Sequence, residues 1–340
     1  MLESGTRYFH DIGVEFQSSG RGTFSGTQGG SSNRETRSLL RAIAILAALI
    51  FCPIAVAADV RQVAITIDDL PRGGDGGPTD LANIRAMTTK LMQPFKAQQI
   101  PVTGFVNAGR WKGDEAGLRE ILDIWLDAGA DLGNHSWSHP DINSVPLDAY
   151  MADVIKGEPA IRAALGPRGK QLQFYRHPYL HTGPTPQIKS DMQAALDKLG
   201  YRVAPVTLDD ADYMFAAAYT QPKFRERARA EYIPYMESIV AFFEQRSVEV
   251  TGHEVAQILL IHANQLNADL MPELLEMFRR RGYTFVTLEQ AMKDPAYQLP
   301  ESYAGRNGFS WIHRWSVTRG MTPRGEPEPA EWVRKAFEER

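Results

Sequence analysis

The chain has 340 residues with a net charge of −4, and its 43% hydrophobic and 23% charged residues are an ordinary globular composition. The sequence pI near 6.1 excludes a strongly basic nucleic-acid binder, so no nucleic-acid partner is expected. The single cysteine, Cys52, excludes an intrachain disulfide framework. The length is sufficient for one α/β barrel, which takes roughly 200–250 residues.

The first predicted element is a secretory signal peptide. Arginines between residues 34 and 41 precede an apolar run that ends in small residues at Ala58. Pro53 interrupts this run, so a retained membrane anchor, which is the alternative, would span the roughly 30 Å hydrocarbon core only marginally. We therefore expect residues 1–58 to be a polar extension with a signal peptide. The protein would be exported to the periplasm or secreted, without stable membrane insertion after cleavage.

From Val63 onward, short β-like runs alternate with helical patterns, which is typical of a parallel sheet built from βα repeats. In chain order we predict strand 63–67, helix 81–98, strand 102–106, helix 116–128, a strand end at 131–134, helix 147–165, strand 172–175, helix 186–199, strand 201–207, a helical excursion 214–247 broken near Pro234, strand 258–261, helix 270–281 and strand 283–286.

This alternation predicts a distorted (β/α) barrel of about seven parallel strands, with a helical insertion before the strand that ends near residue 261. We expect the barrel to occupy residues 59–293. Residues 294–340 are rich in Pro and Gly and are predicted to be an irregular tail.

Polar residues stand at the ends of several predicted strands. They are Asp68 and Asp69 after the first strand, His135 and His139 after the third, Arg176 and Tyr179 after the fourth, and His262 at the end of a later one. A carboxylate pair or a lone histidine in such a place is usually a turn or packing residue. In a barrel, however, strand ends and βα loops share one face, where the chemistry lies. Their joint placement therefore indicates an active site.

Two histidines four residues apart, in the segment from His135 to His139, could bind one metal ion from a single turn. The zinc-protease pattern needs Glu directly after the first histidine, where this chain has Ser136. With Gly133 before the pair and Pro140 after it, we predict a short turn rather than a long helix. A histidine pair with a nearby carboxylate leaves coordination positions open, which suits catalysis.

Four segments, in this order, resemble the motifs of the polysaccharide deacetylase family (carbohydrate esterase family 4). They are Thr66-Ile67-Asp68-Asp69, His135-Ser136-Trp137-Ser138-His139-Pro140, Arg176-His177-Pro178-Tyr179 and Leu260-Ile261-His262. The similarity extends over roughly residues 62–292. It implies a hydrolase that removes N-acetyl groups from an amino-sugar polysaccharide or oligosaccharide, with an acetylated saccharide as its partner.

The resemblance also implies a divalent metal site formed by Asp69, His135 and His139. Zn²⁺ is the expected ion, with Co²⁺, Ni²⁺ or Mn²⁺ as possible substitutes, because imidazole and carboxylate ligands suit these metals. Water would fill the open position of the site.

Catalytic roles follow from the same resemblance, position by position. Asp68 would be the general base and Arg176 would pair with it. The backbone N–H of Tyr179 would stabilise the tetrahedral oxyanion, and His262 would protonate the leaving nitrogen.

A carboxylate that holds His262 is expected in the segment Asp209-Asp210-Ala211-Asp212-Tyr213, where Tyr213 replaces the family's usual Trp. Asp209 and Asp212 are both candidates, and we favour Asp212.

Other functions remain open or are disfavoured. An O-acetyl esterase acting on a polysaccharide such as xylan would use the same site. A non-catalytic carbohydrate-binding barrel would be expected to lose a key residue such as Asp68 or His262, and both are present. A glycosidase that uses Asp68 and Asp69 as its acid pair is disfavoured, because neighbouring strand residues point to opposite faces. No Gly-rich dinucleotide-binding loop follows the first strand, which disfavours a nicotinamide enzyme.

Overall fold

The computed structural model describes residues 61–322 and 324–340, and these contain one seven-stranded sheet. Its strands are β1 (Gln62–Leu70), β2 (Val102–Val106), β3 (Asp131–Asn134), β4 (Phe174–Tyr175), β5 (Arg202–Val203), β6 (Gln257–His262) and β7 (Thr284–Phe285). The strand order is β5-β4-β3-β2-β1-β6, and β7 pairs with the start of β1. Every pairing is parallel, as predicted.

The sheet curls until its two ends meet. Beyond β5 the chain runs on to Leu208, which forms a parallel bridge with Leu259 of β6. The Leu208 N–H donates to Ile258 O and the Leu260 N–H donates to Leu208 O, both at 3.1 Å. The predicted distorted (β/α) barrel is therefore confirmed, with the seam between β5 and β6 closed by irregular chain.

Helices cover the outside of the sheet. They are α1 (Leu81–Gln98), α2 (Glu115–Asp127), α3 (Leu147–Leu165), α4 (Pro186–Lys198), α5 (Asp212–Tyr219), α6 (Arg225–Thr251), α7 (Gln265–Arg280), α8 (Leu288–Ala291), α9 (Trp311–Thr318) and α10 (Glu331–Glu338). None of the helices in the described part of the chain has both the length and the apolar character that a membrane crossing needs.

Alternation along the strands divides the apolar core into two parts. Val63, Ile65 and Ile67 of β1 belong to the large cluster that packs against the helices. Ala64 and Phe105 belong to a small cluster drawn from several strands, which also includes residues of α8. Since successive strand side chains point to opposite faces, these two clusters correspond to the outside and the inside of the barrel.

The predicted helical insertion is confirmed as α5 and α6, which lie between β5 and β6. The expected break near Pro234 is wrong, because Pro234 lies inside α6. The chain leaves helical geometry around Pro222 instead.

The expectation of an irregular tail is corrected, because α9 and α10 lie within residues 294–340. Their apolar residues fall on one face, with Ile312 and Trp315 buried in α9 and Val333 and Ala336 buried in α10. The described residues all belong to one compact unit. The boundary at residue 293 stays a prediction, and the predicted signal peptide lies outside the described residues.

Candidate active site

The bulge in β1 determines where the two carboxylates point. Ile67 pairs with Gly104 and Leu70 pairs with Val106, so β1 carries one residue more than β2 over this stretch. Asp69 sits at this irregularity with a φ of 66°. As a result, Asp68 Oδ2 and Asp69 Oδ1 lie 3.7 and 3.8 Å from the same atom, His135 Nε2. Our argument that adjacent strand carboxylates face opposite sides is wrong here, because a β-bulge interrupts the alternation.

The predicted metal ligands come together as a group. Asp69 Oδ1 lies 3.8 Å from the Nε2 atoms of both His135 and His139. One ligand atom from each of the three residues lies within 4.8 Å of the other two. The structure thus brings together side chains that stand seventy residues apart in the sequence.

A tight turn presents the two histidines, as the flanking Gly and Pro predicted. Ser136 and His139 have φ angles of 67° and 61°. The Ser136 N–H donates to Asn134 Oδ1 at 2.9 Å, and the His139 N–H donates to Ser136 Oγ at 3.1 Å. His135 Nδ1 lies 2.8 Å from Arg176 O, a carbonyl oxygen that can only accept a hydrogen bond, so Nδ1 carries the proton. This contact fixes the tautomer and leaves Nε2 of His135 free to bind a metal.

The chemistry of these donors fits a divalent metal ion. Asp69 Oδ1 is buried and has no hydrogen-bond partner among the described residues, while Arg110 Nη2 holds Asp69 Oδ2 at 2.9 Å. Burial lowers the pKa of His135 and of His139 well below the usual range, which keeps both imidazoles neutral. One carboxylate oxygen and two neutral imidazole nitrogens form a common three-ligand set for catalytic zinc.

Asp68 is buried in the barrel beside Arg176. Arg176 Nη1 lies 3.4 and 3.3 Å from the two Asp68 oxygens. The guanidinium is itself completely buried, and it also donates to Thr66 Oγ1 and to Ala204 O. Burial raises the pKa of Asp68 to about 6, although the charge of Arg176 opposes this effect. A carboxylate with this pKa is ionised near neutrality and can still accept a proton.

His262 faces the site from the end of β6 and is held by Asp212. His262 Nδ1 lies 2.7 Å from Asp212 Oδ1, and Asp212 Oδ2 accepts from Asn267 Nδ2 at 2.7 Å and Asn264 Nδ2 at 3.1 Å. Burial alone would lower the pKa of His262, but the charge and hydrogen bond of Asp212 outweigh it and raise that pKa to about 10. Asp212, the carboxylate that we favoured from the sequence, is in contact with His262.

Tyr179 lies next to the histidine pair in a short helical turn, Pro178–Leu180, with a φ of 57°. Its ring centroid is 4.4 Å from that of His139, and its side chain is half-exposed. The predicted oxyanion residue is therefore adjacent to the predicted metal ligands.

Several supporting residues escaped sequence reasoning. Arg110 ends a short 3-10 helix, Ala108–Arg110, after β2, and nothing in its sequence context points toward Asp69. Asn264 carried a usable signal, because it is an N-cap residue two positions after the strand-end histidine, whereas Asn267 carried none.

The family model for polysaccharide deacetylases matches residues 55–204. Over these residues, somewhat less than half of its length, the chain is similar to the polysaccharide deacetylase family. A chitin deacetylase of Colletotrichum lindemuthianum is 25% identical over 233 residues, covering 68% of this chain and 79% of that protein. A probable peptidoglycan-N-acetylglucosamine deacetylase of Arthroderma benhamiae is 24% identical over 235 residues, covering 68% of this chain and 44% of that protein. A solved chitin deacetylase structure from Colletotrichum lindemuthianum has a TM-score of 0.48 and 20% identity, covering 73% of this chain and 92% of that one.

The similarity supports a hydrolase of the class that acts on carbon–nitrogen bonds other than peptide bonds. The family match includes the metal-ligand candidates, Asp68 and Arg176, whereas Asp212 and His262 lie beyond it. Two exposed aromatic side chains flank the site. Tyr179 packs on His139, and Tyr213 lies with its ring centroid 6.1 Å from that of His262.

Proposed function

We propose that the protein is a divalent-metal-dependent deacetylase that hydrolyses N-acetyl groups of an amino-sugar polysaccharide or oligosaccharide. The observation that carries this proposal is the unpartnered, buried Oδ1 of Asp69, which faces two neutral imidazoles. Two further pairs lie beside it, Asp68 with Arg176 and His262 with Asp212. Near neutral pH, Asp68 is without its proton and His262 carries one.

The metal would be held by Asp69, His135 and His139, with Zn²⁺ the expected ion and Co²⁺, Ni²⁺ or Mn²⁺ as substitutes. When bound, such an ion polarises a carbonyl group and makes a water molecule more acidic.

Asp68 would act as the general base. The pKa of about 6 leaves it ionised at neutral pH, so it can take a proton from the attacking water. Arg176 fixes the orientation of its carboxylate from the barrel interior, where neither group has room to rotate away.

His262 would act as the general acid toward the leaving nitrogen. A pKa of about 10 keeps it protonated throughout the neutral range, and its Nδ1–H is committed to Asp212, so Nε2 carries the proton to be donated. The backbone N–H of Tyr179 would donate to the oxyanion, which develops only in the transition state.

Two observations support an amino-sugar substrate. The relatives described above are named for deacetylation of chitin and of N-acetylglucosamine in peptidoglycan. The exposed rings of Tyr179 and Tyr213 stand on either side of the site, and aromatic faces suit the C–H faces of sugar rings. A polymer of this kind lies outside the cytoplasm, which agrees with our proposal that the protein is exported.

Acetate release tests the proposal directly. Metal-loaded protein would be assayed on chitin oligomers, poly-N-acetylglucosamine, peptidoglycan and acetylated xylan. We expect release from at least one amino-sugar substrate and a loss of about 10²–10⁴-fold in the Asp68→Asn variant. Asp197→Asn, an exposed carboxylate change on α4, serves as the matched control and should retain full activity.

The other readings give different results in the same assay. Release from acetylated xylan alone would indicate an O-acetyl esterase. No release from any substrate by metal-loaded protein would contradict the proposal and favour a non-catalytic carbohydrate-binding barrel.

A further inference from the structure

The loop that carries Tyr179 has an unfavourable backbone conformation. Tyr179 and Leu180 are consecutive non-glycine residues with φ angles of 57° and 55°. Left-handed conformations are uncommon for residues with a side chain, and they persist only where surrounding structure enforces them. Something outside the loop must therefore hold it in place.

Arg314 of α9 provides part of that support. Its side chain is fully buried, and Nη2 donates to Leu180 O at 2.5 Å while Nη1 donates to Thr182 Oγ1 at 2.7 Å. Nε donates to Phe309 O at 3.0 Å, which ties the guanidinium to its own segment. A buried cation is costly to desolvate, so three well-formed hydrogen bonds from a rigid planar group indicate a specific brace.

The segment before α9 touches the same loop through its backbone. A Cβ atom at Gly308 would lie 1.7 Å from Tyr179 O, so only glycine allows this approach. The Gly305 N–H donates to Gly183 O at 3.1 Å. The loop is thus bordered by residues 305–314 along most of its length.

We propose that Arg314 and Gly308 are positioning residues for the backbone N–H of Tyr179. This inference rests on the proposed function, in which that N–H stabilises the oxyanion. It makes residues 305–314, which lie outside the range 55–204 matched by the family model, part of the catalytic apparatus. If the loop relaxed toward ordinary φ angles, the N–H would rotate away from the site while the metal ligands stayed in place.

Kinetics of Arg314→Gln and Gly308→Ala provide the first test. An oxyanion donor acts in the transition state, so kcat should fall by about 10²-fold with little change in KM. The loss should be equal for amide and activated ester substrates, because both pass through an oxyanion. Metal content should not change. The matched control is Arg319→Gln, which removes a bond to Val250 O far from the loop and should retain kcat.

Hydrogen exchange provides a second test that does not depend on activity. Amides in the peptide 177–183 should exchange faster in Arg314→Gln and Gly308→Ala than in the wild type or in Arg319→Gln. Unchanged exchange there, or equal kcat in Arg314→Gln and Arg319→Gln, would overturn the inference. If the wild type releases no acetate, the proposed function fails, and the exchange data alone decide whether the tail braces the loop.

Discussion

The two carboxylate oxygens of Asp69 have different surroundings. Oδ2 forms an ion pair with Arg110. Oδ1 has no hydrogen-bond partner among the described residues and faces the imidazoles of His135 and His139. The same division recurs at His135, whose Nδ1 faces Arg176 O, and at His262, whose Nδ1 faces Asp212. In each case a second contact fixes the orientation of the group and reserves one atom for chemistry.

The pH dependence of activity follows from Asp68 and His262. In the proposed mechanism, activity requires Asp68 without its proton. The pKa of about 6 sets the acid limb, which would lie lower with a cation bound beside Asp68. Activity also requires protonated His262, whose pKa of about 10 allows the alkaline limb to extend to about that pH. The profile of kcat/KM should therefore be a bell between these limits.

Asp212→Asn should shift the alkaline limb of the kcat/KM profile to lower pH. Without the carboxylate charge, the pKa of His262 should fall toward its usual value of about 6.5, so activity at pH 8 should drop by about tenfold or more. The profile of kcat/KM against pH measures this shift. Asp294→Asn, which alters the Asp–His pair with His253, is the control and should leave the profile intact. An unshifted alkaline limb in Asp212→Asn would remove Asp212 from this role.

Among the individual site residues, the sequence predicted those that belong to a recognisable motif. Asp69, His135 and His139 stand at strand ends in recognisable spacing, and the structure brings them together. Arg110 could not be predicted, because its contact with Asp69 depends on how the chain turns after β2. The shared face of the two carboxylates was also invisible, since it depends on one unpaired residue in β1.

The helical insertion supports the acid side of the site through a chain of polar contacts. Tyr232 of α6 donates to Asn267 Oδ1 at 2.7 Å, and Asn267 Nδ2 donates in turn to Asp212 Oδ2. Asp212 begins α5, His262 ends β6, and Asn267 lies in the first turn of α7. Four elements thus converge on one carboxylate, which gives the insertion a role beyond covering the barrel.

Asn267→Ala should weaken the fold measurably. It leaves the buried Tyr232 hydroxyl and one Asp212 oxygen each short of a partner, so the free energy of unfolding should fall by about 1–3 kcal/mol. Urea unfolding measures this loss. Asn83→Ala removes an exposed hydrogen bond to Asp80 on α1 and should cost less than about 0.5 kcal/mol. Similar losses in the two variants would show that the Asn267 contacts are not important for stability.

The order of strands and helices was predictable from spacing, because apolar residues three and four apart mark helices and short apolar runs mark buried strands. The tail helices were missed because each is only about two turns long and follows a stretch rich in Pro and Gly. The helix break in the insertion was placed at the wrong proline. Pro234 is tolerated inside α6, and packing decides such a case where local propensity cannot.

Across the whole molecule, the site exists only when the barrel has formed. Its residues extend from Asp68 on β1 to His262 on β6, two strands that are adjacent in the sheet but far apart in the chain. A metal ligand set of this kind is absent from the unfolded chain, so metal binding at the proposed site would contribute to the stability of the folded state.

Chelation should therefore lower the melting temperature of the metal-loaded protein. A ligand at a thousandfold excess over its Kd stabilises the folded state by about 4 kcal/mol, which is lost when the metal is removed. His139→Ala should contain little metal and show almost no further shift with chelator. His253→Ala, a histidine away from the site, should behave as the wild type. Metal analysis and thermal unfolding provide the readouts, and equal metal content in His139→Ala and wild type would exclude His139 as a ligand.

The mature protein should begin near Ala58 or Asp59, a prediction that concerns residues outside the described part of the chain. The basic flank, the apolar run and the small residues that end it motivate this prediction. N-terminal sequencing of periplasmic or secreted material tests it. Recovery of intact residues 1–58 on cytoplasmic protein would contradict export.

The extra residue in β1 also means that a single deletion in this strand could disrupt the site. Deleting Leu70 would remove no catalytic side chain, yet it would restore regular pairing between β1 and β2 and turn Asp68 and Asp69 toward opposite faces. The proposed base and the proposed metal ligand would then lie on opposite faces of the sheet. A barrel of this type can thus become inactive through the loss of one codon while every motif residue survives, so strand length must be compared as carefully as residue identity.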